Sequence, residues 1–133
     1  MKNVLLTASV CNSANTPPPV QALGPHVAAL GVIFANGTNF PPHWSGNDTL
    51  FIAEHGSWNR NVAIGYRIAL VQVNSTNKAV RHDVFASGWL QNENTPQQYF
   101  WGRPNHLLFL QDGSMLVSDD FASVVYRITY NGS

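Results

Sequence analysis

The apolar positions of this chain fall in short runs, each cut off by Gly, Pro, Asn or Asp. The clearest are "AALGVIF", "TLFIAE", "GYRIALVQV", "NHLLFL", "SMLVS" and "VVYRITY". Brief runs rich in β-branched and aromatic residues, bounded by turn formers, are the mark of strands. They predict strands at about 28–34, 49–54, 65–73, 105–110, 114–118 and 124–130. No window sustains a helical period, so the predicted class is all-β. Asp112-Gly113 in "LQDGS" has the chemistry of a tight hairpin turn, because glycine accepts a positive φ.

The pattern also repeats. "GVIF … TLFIAEHG … YRIALVQV" has the layout of "LLFL … SMLVSDDF … YRITY", and Tyr66-Arg67-Ile68 recurs as Tyr126-Arg127-Ile128. In both copies the middle strand turns polar at its end, at Glu54-His55 and at Asp119-Asp120. A spacing of roughly 60 residues, with strands in each unit, suits the antiparallel blades of a β-propeller. The expected organisation is an N-terminal extension and Pro-rich linker over about 1–22, then a partial propeller over about 23–133, with blades at about 23–75 and 76–133. "NTPPPV" supplies the linker, since consecutive prolines favour an extended chain. Two blades cannot close a ring. The chain is therefore expected to be the C-terminal part of a larger propeller whose remainder is missing; "VLLTASV" near the start is a poor closing strand.

Composition narrows the function classes. Of 133 residues, 11% are charged and 44% hydrophobic, which argues against disorder. Seven basic residues balance seven acidic ones, and no basic stripe is visible, so nucleic acid is not an expected partner. No apolar run approaches the roughly 20 residues of a membrane-spanning helix. "MKNVLLTASVC" is a marginal secretion signal or an upstream strand. Cys11 is the only cysteine, which excludes an internal disulfide and a thiolate metal cluster. N-glycosylation sequons at Asn36, Asn47, Asn74 and Asn131 lean towards an extracellular protein.

Three segments carry chemistry: "LGPHVAALG" with His26, "AEHGSWNR", and "WGRPNHL" with Arg103. Each residue has a bland reading. A lone His26 belongs more often to a loop, Trp58 and Trp101 usually pack, and Glu54 reads as a solvated strand end. Arg103 could pair with Asp119 or Asp120. Those two carboxylates are adjacent in a strand and point to opposite faces, which makes a weak metal site. His43, His82 and His106 have no partner pattern. The functional reading needs the set. Guanidinium forks bind carboxylates, an indole offers a stacking face, and Gly56 and Gly102 allow close backbone approach. Composition and spacing reach a cofactor or sugar pocket and stop there.

Taken together, "ALGPHVAALG", "FIAEHGSWNR", "GYRI", "WGRPNHLLFLQDGSMLVSDD" and "YRITY" resemble the C-terminal blades of the sorbosone/glucose dehydrogenase family. These are soluble quinoproteins using pyrroloquinoline quinone (PQQ), and the nearest variety is the fungal pyranose dehydrogenase type. The resemblance implies a six-bladed propeller with PQQ on its axis and calcium at the quinone. It implies oxidation of a sugar at an alcohol or hemiacetal carbon, with electrons passed to an acceptor. His26, His55, Trp58, Arg60 and Arg103 are the implied cofactor-binding residues. The resemblance to related bacterial enzymes implies that the catalytic base and main calcium ligands lie in earlier blades, so no catalytic or metal-binding residue is assigned and the chain alone is expected to be inactive. The competing expectation is a non-enzymatic propeller module that binds carbohydrate or protein. A lactonase-type propeller is a third, weakened by too few carboxylates.

Overall fold

The computed structural model describes residues 17–132. The N-terminal "MKNVLLTASVC" segment, Cys11 and the first two residues of the linker lie outside the described residues. All regular structure among those described is antiparallel β, apart from one 3-10 turn at Pro42–Trp44.

The first sheet is a four-stranded meander of β1 (Ala29–Ala35), β2 (Gly46–Glu54), β3 (Arg67–Val73) and β4 (Ala79–Ala86). A two-stranded hairpin follows, β5 (Leu90–Gln91) with β6 (Tyr99–Phe100). The last sheet joins β7 (Pro104–Phe109), β8 (Met115–Asp119) and β9 (Val124–Ile128). Every strand read from the sequence is present within a few residues. Two features were not anticipated. β4 extends the first sheet to Ala86, past the expected unit boundary near residue 75, and the small hairpin fills the connection. The sequence of β4, "AVRHDVFA", mixes charges with apolar residues because it is an edge strand, where charge discourages further pairing.

The two larger sheets pack face to face. Phe51, Ala53, Ile68 and Leu70 on one meet Leu107, Met115 and Val117 on the other, all buried in one cluster. Phe40 and Phe51 lie within it and the partly buried Phe85 and Phe109 pack against them, with ring centroids 4.5 to 6.0 Å apart. Phe40 arrives on the β1–β2 loop, which is tied to the Asp112-Gly113 turn: Asn39 N–H donates to the Gly113 carbonyl at 3.2 Å and the Thr38 hydroxyl at 3.1 Å. Gly113 has φ 81°, and a Cβ there would overlap the Asn39 backbone, so the turn needs glycine twice over. The outer face of the first sheet stays apolar. Register pairs Val32 with Ile52 and Phe34 with Leu50, and Leu30, Val32 and Phe34 are exposed there.

The repeated Tyr-Arg-Ile does not occupy equivalent places. Arg67 opens β3 opposite Glu54. Arg127 lies opposite Leu116, near the far end of its sheet, and its guanidinium pairs with Asp112 at the hairpin turn. The repeat of sheets is structural; the repeat of the tripeptide is not in register.

Candidate functional site

The polar ends of β2 and β8 come together beside the start of β7. Ahead of β1, Val27 is buried while His26 is exposed, with positive φ at His26 and Ala28. That local path lets the Val27 and Ala28 carbonyls accept from Gly56 and His55 N–H, each at 2.9 Å, and so extends the β1–β2 ladder past Glu54. Beyond it the chain turns at Gly56, whose φ is 101°. A Cβ on Gly56 would lie 2.5 Å from the Tyr66 ring, so the close approach that this glycine allows is to Tyr66. The Tyr66 hydroxyl in turn donates to the Ser57 carbonyl at 2.6 Å.

Arg103 sits at the centre. Its Nε donates to the His55 carbonyl at 3.0 Å and its Nη2 to the Gly56 carbonyl at 2.6 Å. Its guanidinium lies over the Tyr66 and Phe100 rings, 5.4 and 5.6 Å from their centroids. Tyr66 and Phe100 stack at 4.8 Å, and Phe121 meets Phe100 edge-on at 5.0 Å. These residues wall a cavity of about 450 Å³ with Trp58, Arg60 and Gln98 along its rim. Trp58 is 80% exposed, so its indole is not used in packing. Arg60 Nε donates to the Val62 carbonyl at 2.9 Å. The lining holds two guanidinium groups and no carboxylate, and among the described residues neither Arg60 nor Arg103 forms an ion pair. Such a cavity favours an anion.

Of the residues singled out from the sequence, Trp58, Arg60 and Arg103 share this cavity. His26 and His55 do not line it. His55 points instead to Asp120, Nε2 to Oδ1 at 2.8 Å, and contributes to the site through its main-chain carbonyl. Glu54 departs from the solvated strand end expected of it. It is fully buried, because register sets it opposite Arg67, whose Nε donates to Oε2 at 2.7 Å. Asp119 and Asp120 do face opposite ways, the first buried and the second exposed. Arg103 meets Asp119 through its backbone N–H, at 2.8 Å, and not through its guanidinium. Trp101 packs on Trp89 and Tyr126 and gives its indole N–H to the Gly88 carbonyl at 2.7 Å. Gly102 is required by Asp119 and Trp89, which a Cβ would overlap. Sequence reasoning missed Tyr66, Phe100, Gln98 and Phe121 as cavity residues; Tyr66 was visible only as a repeat marker. Among the described residues no three His, Cys, Asp or Glu converge as metal ligands would, and no helix is long and apolar enough to cross a membrane.

An all-antiparallel arrangement of stacked sheets, with a cationic and aromatic cavity at the polar strand ends, defines the class, and known proteins give the family. A family model described as TrAA12-like matches residues 2–131, and the chain belongs to that family. It is 33% identical over 137 aligned positions to a pyrroloquinoline quinone-dependent pyranose dehydrogenase of Coprinopsis cinerea, covering 92% of this chain and 18% of that protein. It is 39% identical over 114 residues to an uncharacterized protein of Borreliella burgdorferi, covering 85% of this chain and 28% of that one. The holo form of the Coprinopsis cinerea pyranose dehydrogenase PQQ domain superposes with a TM-score of 0.65 at 25% identity, over 89% of this chain and 30% of that domain. A Trichoderma reesei structure from carbohydrate-active enzyme family AA12 shares the fold, with a TM-score of 0.59 at 19% identity, over 77% of this chain and 24% of that one. The chain thus spans less than a third of the length of these curated relatives.

Proposed function

We propose that this chain is the C-terminal portion of a PQQ-dependent sugar dehydrogenase of the pyranose dehydrogenase type, within the sorbosone/glucose dehydrogenase group. It contributes one wall of the cofactor site in a six-bladed propeller. The observation that carries the reading is the cavity with two guanidinium groups, an unpacked indole and no carboxylate. That donor set fits a flat ligand bearing several carboxylates. Arg103 and Arg60 would hold carboxylate groups, and Trp58 would cover a ring face. The Tyr66–Phe100 stack keeps water from the back of the Arg103 guanidinium, which strengthens its pull on an anion. When bound, PQQ supplies the two-electron acceptor for oxidation of a sugar carbon.

The catalytic base and the calcium ligands belong, on this reading, to other blades, and the chain alone is inactive. Exposed Leu30, Val32 and Phe34 on the outer face of the first sheet support a further sheet packed there, as a propeller requires. The parent protein is placed outside the cell, with a sugar substrate and a separate electron acceptor as its partners. The largely exposed setting of Trp58 also favours a second reading, a non-enzymatic carbohydrate-binding module, since an open indole suits a sugar ring as well as a quinone.

Tryptophan fluorescence separates the two. Titration of the chain with PQQ is expected to quench emission saturably, and Trp58→Phe is expected to remove most of that response. Quenching by glucose or another pyranose alone, with none by PQQ, would overturn the cofactor reading in favour of the module.

A further inference from the structure

Asp119 and Asp120 are consecutive and face opposite ways, yet their hydrogen bonds lead to one residue, Arg103, the first through its backbone and the second through His55. Asp119 Oδ2 accepts from the Arg103 backbone N–H at 2.8 Å and from the Tyr126 hydroxyl at 3.2 Å, while Oδ1 accepts from Ala122 N–H at 2.8 Å. The absence of a side chain at Gly102 is what lets this carboxylate reach the backbone at the start of β7. Asp120 acts from the other side. It holds the His55 ring at 2.8 Å, and the carbonyls of His55 and Gly56 hold Arg103 Nε and Nη2. His55 and Asp120 are 65 positions apart in the chain, so this bond clamps the end of β2 to the end of β8.

We propose that Asp119 and Asp120 are positioning residues for Arg103. Asp119 fixes where its main chain starts, and Asp120, through His55, fixes the two carbonyls that grip its guanidinium. An arginine side chain otherwise loses much rotamer freedom when it binds an anion. Here Nε and Nη2 are already engaged, and the rest of the fork is preset towards the cavity, which lowers the cost of binding. The proposal rests on the cofactor-wall reading for what the held guanidinium binds, and on this chain's own bonds for how it is held.

The test uses the Nε–H signal of Arg103 in NMR spectra of the intact chain, with no ligand present. Asp120→Ala is expected to speed its solvent exchange on the order of tenfold, as loss of a supporting hydrogen bond implies, while amides in the middle of β3 stay protected. Asp120→Asn keeps an acceptor for His55 and is expected to restore slow exchange. Asp119→Ala is expected to expose the Arg103 backbone amide instead. Unchanged Nε–H exchange in Asp120→Ala would overturn the proposal, and so would a rise matched throughout β3, which would mark general loosening. A parallel PQQ titration keeps the two readings apart. Failure of the unmodified chain to bind PQQ would count against the cofactor wall, while the exchange data would still decide the positioning role.

Discussion

Glu54 and Asp119 sit at matching places, each a buried carboxylate closing an inner strand of its sheet, and the protein satisfies them very differently. Asp119 has three donors spread over both oxygens. Glu54 has one partner, Arg67, on Oε2, and its Oε1 has no hydrogen-bond partner. A buried carboxylate with both oxygens engaged joins neighbouring segments; one left half engaged carries a desolvation cost that its ion pair only partly offsets. The difference follows from what comes next in the chain. After Asp119 the chain turns at once, bringing Ala122 N–H and Tyr126 back to the carboxylate. After Glu54 it runs out along the Val27–Ala28 carbonyls and offers no donor of that kind.

Five experiments bear on that contrast. The largest effect is expected for Asp119→Ala, which strands two backbone donors and a phenol. About 4 kcal/mol should be lost in urea unfolding. Arg67→Met comes next, at about 3 kcal/mol, because it leaves Glu54 buried without its cation. The double variant Glu54→Met with Arg67→Met sharpens the comparison: it should be near neutral or stabilising, since it removes the unpartnered oxygen as well. A double variant as unstable as Arg67→Met alone would show that Glu54 is better satisfied than its contacts indicate. Tyr126→Phe should cost about 1 kcal/mol, one hydrogen bond to Asp119. Burial, and then the Asp119 charge, push the Tyr126 phenol above its ordinary pKa, so its ultraviolet titration should be delayed in the folded protein and less so in Asp119→Asn.

The smallest effect is in acid. The His55 hydrogen bond holds Asp120 below its usual pKa, and the Ser114 hydrogen bonds, followed by Arg127, do the same for Asp112. Carboxyls depressed in the folded state add stability that is fully present above the unfolded value of 3.8 and is lost as pH falls through the folded one. Melting temperature should therefore hold from pH 7 to about 5 and fall below about 4, with a shallower fall in Asp112→Asn and Asp120→Asn. Both groups are solvent-exposed, so the change should be modest and should shrink in high salt.

The strands were legible because their interiors are made of β-branched and aromatic runs, and because Asp112-Gly113 marks its own turn. β4 was not, since Arg81, His82 and Asp83 interrupt the apolar pattern in the middle of this edge strand. Within the candidate site, Trp58 and the two arginines were legible by residue type, as large groups that reach the cavity. His26 and His55 were not, because an imidazole in sequence does not declare which way it points. His55 faces Asp120, 65 residues away, a pairing that only the sheet packing creates. Tyr66 and Phe100 were hidden for the same reason. They matter by stacking under a guanidinium that comes from a third segment.

The most direct test of the central claim is calorimetric titration of PQQ into the intact chain and into Arg103→Ala. The account predicts saturable binding to the intact chain, weakened by about tenfold or more in the variant, as expected for loss of a charge-assisted contact. Equal affinity of the two proteins for PQQ, or no binding to the intact chain, would contradict it.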